Sequence, residues 1–335
     1  MARKPVLGML LGDGSGVGPE IIAKLAAARF FDDICHPVFI GDRRILDRAF
    51  EMVGNRTEVV CVDSLEGLRY EDDTYYMLDR KNLDPKDAPI GELSVECGKA
   101  NLDMLTLSAD LYNRKLIEGF CFGPFNKAGL KDAGCKFESE HHLLAHLFNH
   151  TAPFGEINVC GDLWTTRTTS HIPIKEVSQN LSVERIMRAI TLANVSLKNS
   201  GIKEPRIAVA ALNPHCGEGG RCGREEIDII TPAIETAKSQ GINASGPYPS
   251  DITFIKAFRG EFDAVVTMYH DQGQIALKLK GFDTGITIAG GLPAPIVTCA
   301  HGTAYDIAGK GIVKTSAFEN AVKMCARMAN HLAGA

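Results

Sequence analysis

The chain has 335 residues, 45% hydrophobic and 23% charged, with a formal net charge of -5. That is ordinary globular composition for about two domains, and the acidic balance gives no footprint for nucleic acid. No apolar run approaches the roughly 20 residues of a membrane span, and the run at 6–11 is too short for a signal-peptide core, so a cytoplasmic protein is expected.

The apolar run at 6–11 reads as a strand and leads through Gly12-Asp13-Gly14-Ser15-Gly16-Val17-Gly18 into a helix at 19–29. Pro19 suits the first helical position and Glu20 the first turn. The third glycine falls one residue early for a dinucleotide G-x-G-x-x-G fingerprint. A ligand loop and a plain strand-to-helix turn therefore remain equal readings. Strands at 38–41 and 59–62 and helices at 43–53 and 97–118 follow. The strand at 119–122 opens on Gly123-Pro124-Phe125-Asn126-Lys127. Asn126 and Lys127 stand past its end as substrate contacts, or as an ordinary turn. The segment 137–153 holds four histidines and reads as a crossover between halves.

In the second half, a strand at 156–160 precedes the polar Thr168-Thr169-Ser170-His171-Ile172-Pro173. Ser182 looks like the N-cap of a helix at 182–198. The strand at 206–212 runs into Asn213-Pro214-His215-Cys216-Gly217-Glu218, and a helix is expected at 224–240. The strand at 264–268 runs into Tyr269-His270-Asp271-Gln272-Gly273. A last strand at 285–289, the loop from His301 to Gly311 and a helix at 316–332 complete the chain. Strands alternating with helices imply an α/β fold with mainly parallel sheets. Ligands bind past the carboxyl ends of such strands. Imidazole is the commonest transition-metal ligand on a protein. So His171, His215 and His270, on three loops, could close one face of a divalent ion. Zinc is the first choice, with magnesium, manganese or cobalt as others. Asp251 and Asp271 are nearby acidic candidates. Each histidine taken singly reads equally as a surface or core residue. The loop after His301 offers backbone N–H groups to an anion, and Asp306 could accept from a ribose diol. The ten cysteines form no C-x-x-C pair and read as reduced.

Taken together, the blocks GDGSGVGPEI, GPFNK, TTSHIP, LNPHCGEGGRCGREEID, YPSD, MYHDQGQIALK, GLP and HGTAYDIAGKG resemble the 4-hydroxythreonine-4-phosphate dehydrogenase (PdxA-like) family. The first and last blocks are also similar to isocitrate and isopropylmalate dehydrogenases. The resemblance implies their two-domain α/β/α fold. A discontinuous domain, 1–135 plus 295–335, would carry the NAD-binding loop, and 136–294 would carry the metal site and the dimer contact. It implies His171, His215 and His270 as metal ligands, one of them from the second subunit of a homodimer with a shared active site. It implies Asp251, Asp271 and Lys278 as catalytic residues, and His301, Gly302, Thr303 and Asp306 at the adenosine end of NAD or NADP. The implied reaction is metal-assisted oxidation of a small hydroxy acid, as in pyridoxine biosynthesis, with decarboxylation of the β-keto acid.

The phosphate-contacting set departs from the family. Glu140 and His141 stand for a His-Thr pair, Thr287 for an asparagine, Ile296 for an arginine and Ala300 for an acidic residue; Lys278 remains. An arginine is a bidentate phosphate donor, and a glutamate repels a phosphate dianion. The same chemistry on an unphosphorylated substrate, such as a carboxylated dihydrodiol, is the alternative expectation. A catalytically lapsed metabolite-binding protein and an acyl or phosphoryl transferase are the other two.

Overall fold

The computed structural model describes residues 3–334. Among them the strands are, in chain order, β1 (Val6–Leu10), β2 (His36–Gly41), β3 (Val59–Cys61), β4 (Tyr75–Asp79), β5 (Phe120–Phe122), β6 (Gly155–Cys160), β7 (Leu163–Arg167), β8 (Ile207–Ala210), β9 (Ala244–Tyr248), β10 (Ala264–Thr267), β11 (Ile286–Gly290) and β12 (Ile296–Cys299). The α-helices are α1 (Gly18–Ala27), α2 (Arg43–Met52), α3 (Val95–Asn113), α4 (Lys127–Asp132), α5 (Glu140–Leu147), α6 (Val183–Asn199), α7 (Thr231–Ser239), α8 (Ser250–Phe258), α9 (His270–Gly281) and α10 (Ser316–Ala333). The chain forms two compact units. One runs up to Thr151 and resumes at Leu292; the other is Ala152–Gly291. Among the described residues no helix is long and apolar enough to cross a membrane.

In the first unit the strand order is β3-β4-β2-β1-β5-β12, and the paired neighbours are parallel. Residues 7–10 of β1 and all of β5 and β12 are buried, as expected of parallel strands covered on both faces. These three strands lie side by side and point the same way, so the segments that follow them leave from one rim. The first of those segments turns tightly. A Cβ on Gly18 would lie 2.4 Å from the Leu11 carbonyl oxygen, and one on Gly123 would lie 2.7 Å from the same atom. Only glycine permits that approach between strand end and helix start.

In the second unit the order is β11-β6-β7-β10-β8-β9. β6 pairs antiparallel with β11 and β7, whereas β7, β10, β8 and β9 are mutually parallel. The segments after β7, β10, β8 and β9 again share one rim. β4, β7, β9 and β12 fall where the apolar pattern gives no strand. β7 reads Leu-Trp-Thr-Thr-Arg, but Thr165 and Thr166 are both buried, with hydroxyls turned to the Asn158 and Glu156 carbonyls of β6. Two further corrections concern helices. The stretch expected as one helix at 224–240 opens with a π-helical turn, Glu226–Ile230, before α7. The block after Tyr269 is not a loop: it begins α9 at His270.

Candidate active site

All three metal-ligand candidates of the second unit stand on its shared rim. His171 lies four residues past β7, His270 three past β10 and His215 five past β8. The His171 and His270 rings are 5.6 Å apart, centroid to centroid. Their loops are stitched together, because Thr168 N donates to Thr267 O at 2.8 Å and both Thr169 N and Thr169 Oγ1 donate to Met268 O. His171 has φ +50°. His270 Nδ1 is 2.7 Å from Asp271 Oδ1, and His215 Nδ1 is 3.0 Å from Glu218 Oε1. Glu218, by hydrogen bond and charge, raises the His215 pKa above its ordinary value, and the Asp251 charge adds to this. A carboxylate on Nδ1 fixes the proton there and leaves the Nε2 lone pair facing outward. That tautomer suits a metal ligand, so His215 and His270 have the chemistry to hold a divalent ion. Among the described residues, no three His, Cys, Asp or Glu side chains gather into one metal set.

The His215 loop has an uncommon backbone. His215, Cys216, Gly217, Glu218 and Gly219 all have positive φ, from +46° to +75°. Each non-glycine residue in that left-handed region costs about 1–2 kcal/mol. Strain of this kind clusters at functional sites.

Gln272, in the first turn of α9, was not singled out in the sequence. Its Oε1 accepts from Met268 N at 2.7 Å, and its Nε2 donates to Ala211 O at 2.8 Å and Ser250 Oγ at 3.0 Å. One carboxamide thus ties the His270 loop to the strand end leading to His215 and to the helix start carrying Asp251. Its position inside the MYHDQG block was the available signal. Asp251 and Lys278 are exposed, on α8 and α9. Thr287 is buried on β11, where its hydroxyl accepts from Asn158 Nδ2 at 3.1 Å. Asn158 Oδ1 accepts in turn from Gln274 and from Arg167, and Arg167 pairs with Glu156 at 2.8 Å.

In the first unit the rim gathers the glycine-rich segment, the Asn126 turn and the His301 loop. Asp13 N donates to Pro124 O and Val17 N to Thr303 O, both at 3.1 Å. The Asp13 carboxylate, 1% exposed, accepts from Ser15 N at 2.9 Å and from Tyr305 OH at 3.1 Å. Burial raises its pKa against the pull of those bonds. Glu20, also 1% exposed, accepts from Gly309 N at 2.6 Å and Gly311 N at 2.8 Å. Both carboxylates therefore clamp the loop that follows His301 onto the segment after β1. Asp306 on that loop is exposed, and a Cβ on Gly302 would meet nothing within 4 Å. An open loop with an outward carboxylate fits a ribose diol. Asn126 caps α4 through Gly129 N at 3.1 Å, and Lys127 is exposed. Glu140 opens α5 with its Oε2 buried and without a hydrogen-bond partner among the described residues, next to the buried His141.

Comparison with known proteins gives a consistent picture. The family model described as pyridoxal phosphate biosynthetic protein PdxA matches residues 33–325. The 4-hydroxythreonine-4-phosphate dehydrogenase of Desulforapulum autotrophicum is 40% identical over 329 residues, covering 98% of this chain and 96% of its own. The crystal structure of 4-hydroxythreonine-4-phosphate dehydrogenase from Klebsiella pneumoniae superposes with a TM-score of 0.88 at 32% identity, covering 98% and 99% of the two chains. A terephthalate 1,2-cis-dihydrodiol dehydrogenase from Burkholderia xenovorans matches with a TM-score of 0.65 at 25% identity, over 96% and 98%.

Proposed function

The chain belongs to the PdxA family, and from that premise we propose a dehydrogenase dependent on NAD, or NADP, and on a divalent metal, zinc first. It oxidises the hydroxyl of a small hydroxy acid of the 4-hydroxythreonine-4-phosphate kind. The observation that carries the proposal is the rim of the second unit, where parallel strands deliver His171, His215 and His270, with His171 and His270 rings 5.6 Å apart. These histidines would hold the metal. A divalent ion bound there supplies Lewis-acid polarisation of a substrate hydroxyl. Asp271 orients His270 through Nδ1. Asp251 takes the hydroxyl proton, and Lys278 binds the carboxylate or returns a proton when the β-keto acid product loses carbon dioxide. Bound nicotinamide supplies the hydride acceptor. His301, Gly302, Thr303 and Asp306 hold its adenosine end, on a loop fixed by Asp13 and Glu20. The enzyme works in the cytoplasm as a homodimer whose subunits share each active site.

One observation favours a second substrate. Glu140 and His141 stand where the family has a His-Thr pair, and Ile296 stands where it has an arginine, a bidentate phosphate donor. An unphosphorylated hydroxy acid, such as a carboxylated dihydrodiol, makes no demand on that donor. The test is a panel of phosphorylated and unphosphorylated hydroxy acids, with NADH formation followed after metal removal and after zinc, cobalt, manganese or magnesium is returned. Metal-restored turnover is expected. Full turnover without metal would overturn the metal role, and no turnover with any pairing would make the chain a binding protein. Turnover confined to phosphorylated acids would remove the second substrate.

A further inference from the structure

Glu226 lies in the π-helical turn before α7 and is 3% exposed. A buried carboxylate stays buried only when its oxygens find donors. Its Oε1 accepts from Leu212 N at 2.9 Å and Asn213 N at 2.7 Å, and its Oε2 accepts from Asn213 Nδ2 at 3.0 Å. These donors form the stem of the left-handed loop, two residues before His215. The carboxylate also touches the middle of that loop: a Cβ on Gly217 would lie 2.8 Å from Oε2. The loop is closed by Cys222 N donating to Gly217 O at 3.0 Å. Asn213 Nδ2 also donates to Glu225 Oε2 at 2.7 Å, and Cys216 Sγ lies 3.5 Å from Pro247 O. His215 is 72% exposed, and Glu218 at 51% is its ion-pair partner. A strained backbone with an exposed face relaxes unless its stem is fixed. Glu226 holds both backbone amides of that stem, with Glu225 sharing the Asn213 side chain, and the π-helical turn, a feature frequent at functional sites, sets where the Glu226 carboxylate points.

We infer that Glu226 is a positioning residue that holds the His215 loop in its left-handed form and so aims the His215 imidazole; the inference rests on the reading of His215 as a metal ligand. It touches no reacting atom. Its variant should therefore lose metal affinity without losing the fold.

The experiment compares the metal-free full-length protein with its Glu226→Gln variant, titrated with cobalt(II) and followed by visible absorption. Glutamine keeps an oxygen for the two backbone amides but sets an NH2 group against Asn213 Nδ2. Cobalt affinity is expected to fall about 10- to 100-fold, as for other residues that orient metal ligands. Thermal unfolding of the metal-free variant should remain cooperative. Affinity unchanged in the folded variant would overturn the inference and leave the metal reading standing. No cobalt uptake by the parent protein would overturn both. If the variant does not fold, amide hydrogen exchange on the parent protein decides: slow exchange at Leu212 and Asn213 supports the inference, and exchange as fast as at an open loop overturns it.

Discussion

Burial sets the behaviour of Asp13. Desolvation raises its pKa above the ordinary carboxylate value, against the hydrogen bonds from Ser15 and Tyr305. The folded chain then binds more protons than the unfolded chain between the ordinary and the raised value, so stability falls as pH rises through that window. Above it the full cost of the buried charge is present. Asp13→Asn removes that cost. Its Oδ1 can still accept from Ser15 N, and the Tyr305 hydroxyl can rotate to accept from the new NH2 group. The variant should resist urea better than the parent near neutrality and lose that advantage in acid. A variant less stable at neutral pH would show that the charge is needed. Gln272 is the opposite case, a neutral group whose hydrogen bonds all matter. Gln272→Leu leaves Met268 N without its side-chain partner, while Ala211 O keeps the Ser250 hydroxyl; the loss should cost about 1–3 kcal/mol in urea unfolding. A change below about 0.5 kcal/mol, the range of surface substitutions, would refute its role as a link between loops.

At the scale of elements, α3 and α4 meet at a glycine contact. A Cβ on Gly98 would lie 2.1 Å from Gly129 O and 2.9 Å from Ala133 Cβ. Backbone cannot yield as a flexible side chain does. Gly98→Ala should therefore cost about 3 kcal/mol, at the upper end for overpacking, read as a lower denaturant midpoint. Such contacts left little trace in the pattern of apolar residues, and this explains what could and could not be read. β8 and β10 are continuous apolar runs and were legible as buried strands. β7 was not, because its buried threonines satisfy their hydroxyls on β6, and only the folded sheet supplies that partner. α9 begins with His270-Asp271-Gln272-Gly273, a stretch that looks like a turn. Gly273 there is buried beside Thr165 and Thr267 with room for a Cβ, 3.6 Å from Thr267 Oγ1, so the apparent turn glycine is an ordinary helix position. Of the candidate site, the three histidines could be singled out because each falls just past a strand end. The carboxylates and the amide that hold the rim loops, Glu20, Glu226 and Gln272, were not. Their work depends on backbone donors brought close only by folding.

For the whole molecule, the shared-site reading makes a prediction about mixed dimers. His171→Ala, His215→Ala and His270→Ala should each lose nearly all turnover, since each lacks one ligand. If one of the three histidines is the partner's, a dimer made from two different variants can assemble one intact site from its two sites. Random exchange places half of the chains in mixed dimers, so recovery should reach about a quarter of the parent activity. Two of the three pairwise mixtures should recover, those that include the variant at the crossing histidine. The third should stay inactive, because its two lesions fall in ligands drawn from the same chain and every site keeps one of them. The silent pair would thus identify the crossing histidine by exclusion. Recovery by none of the mixtures, with subunit exchange verified by mass spectrometry, would mean that each chain builds its own metal set.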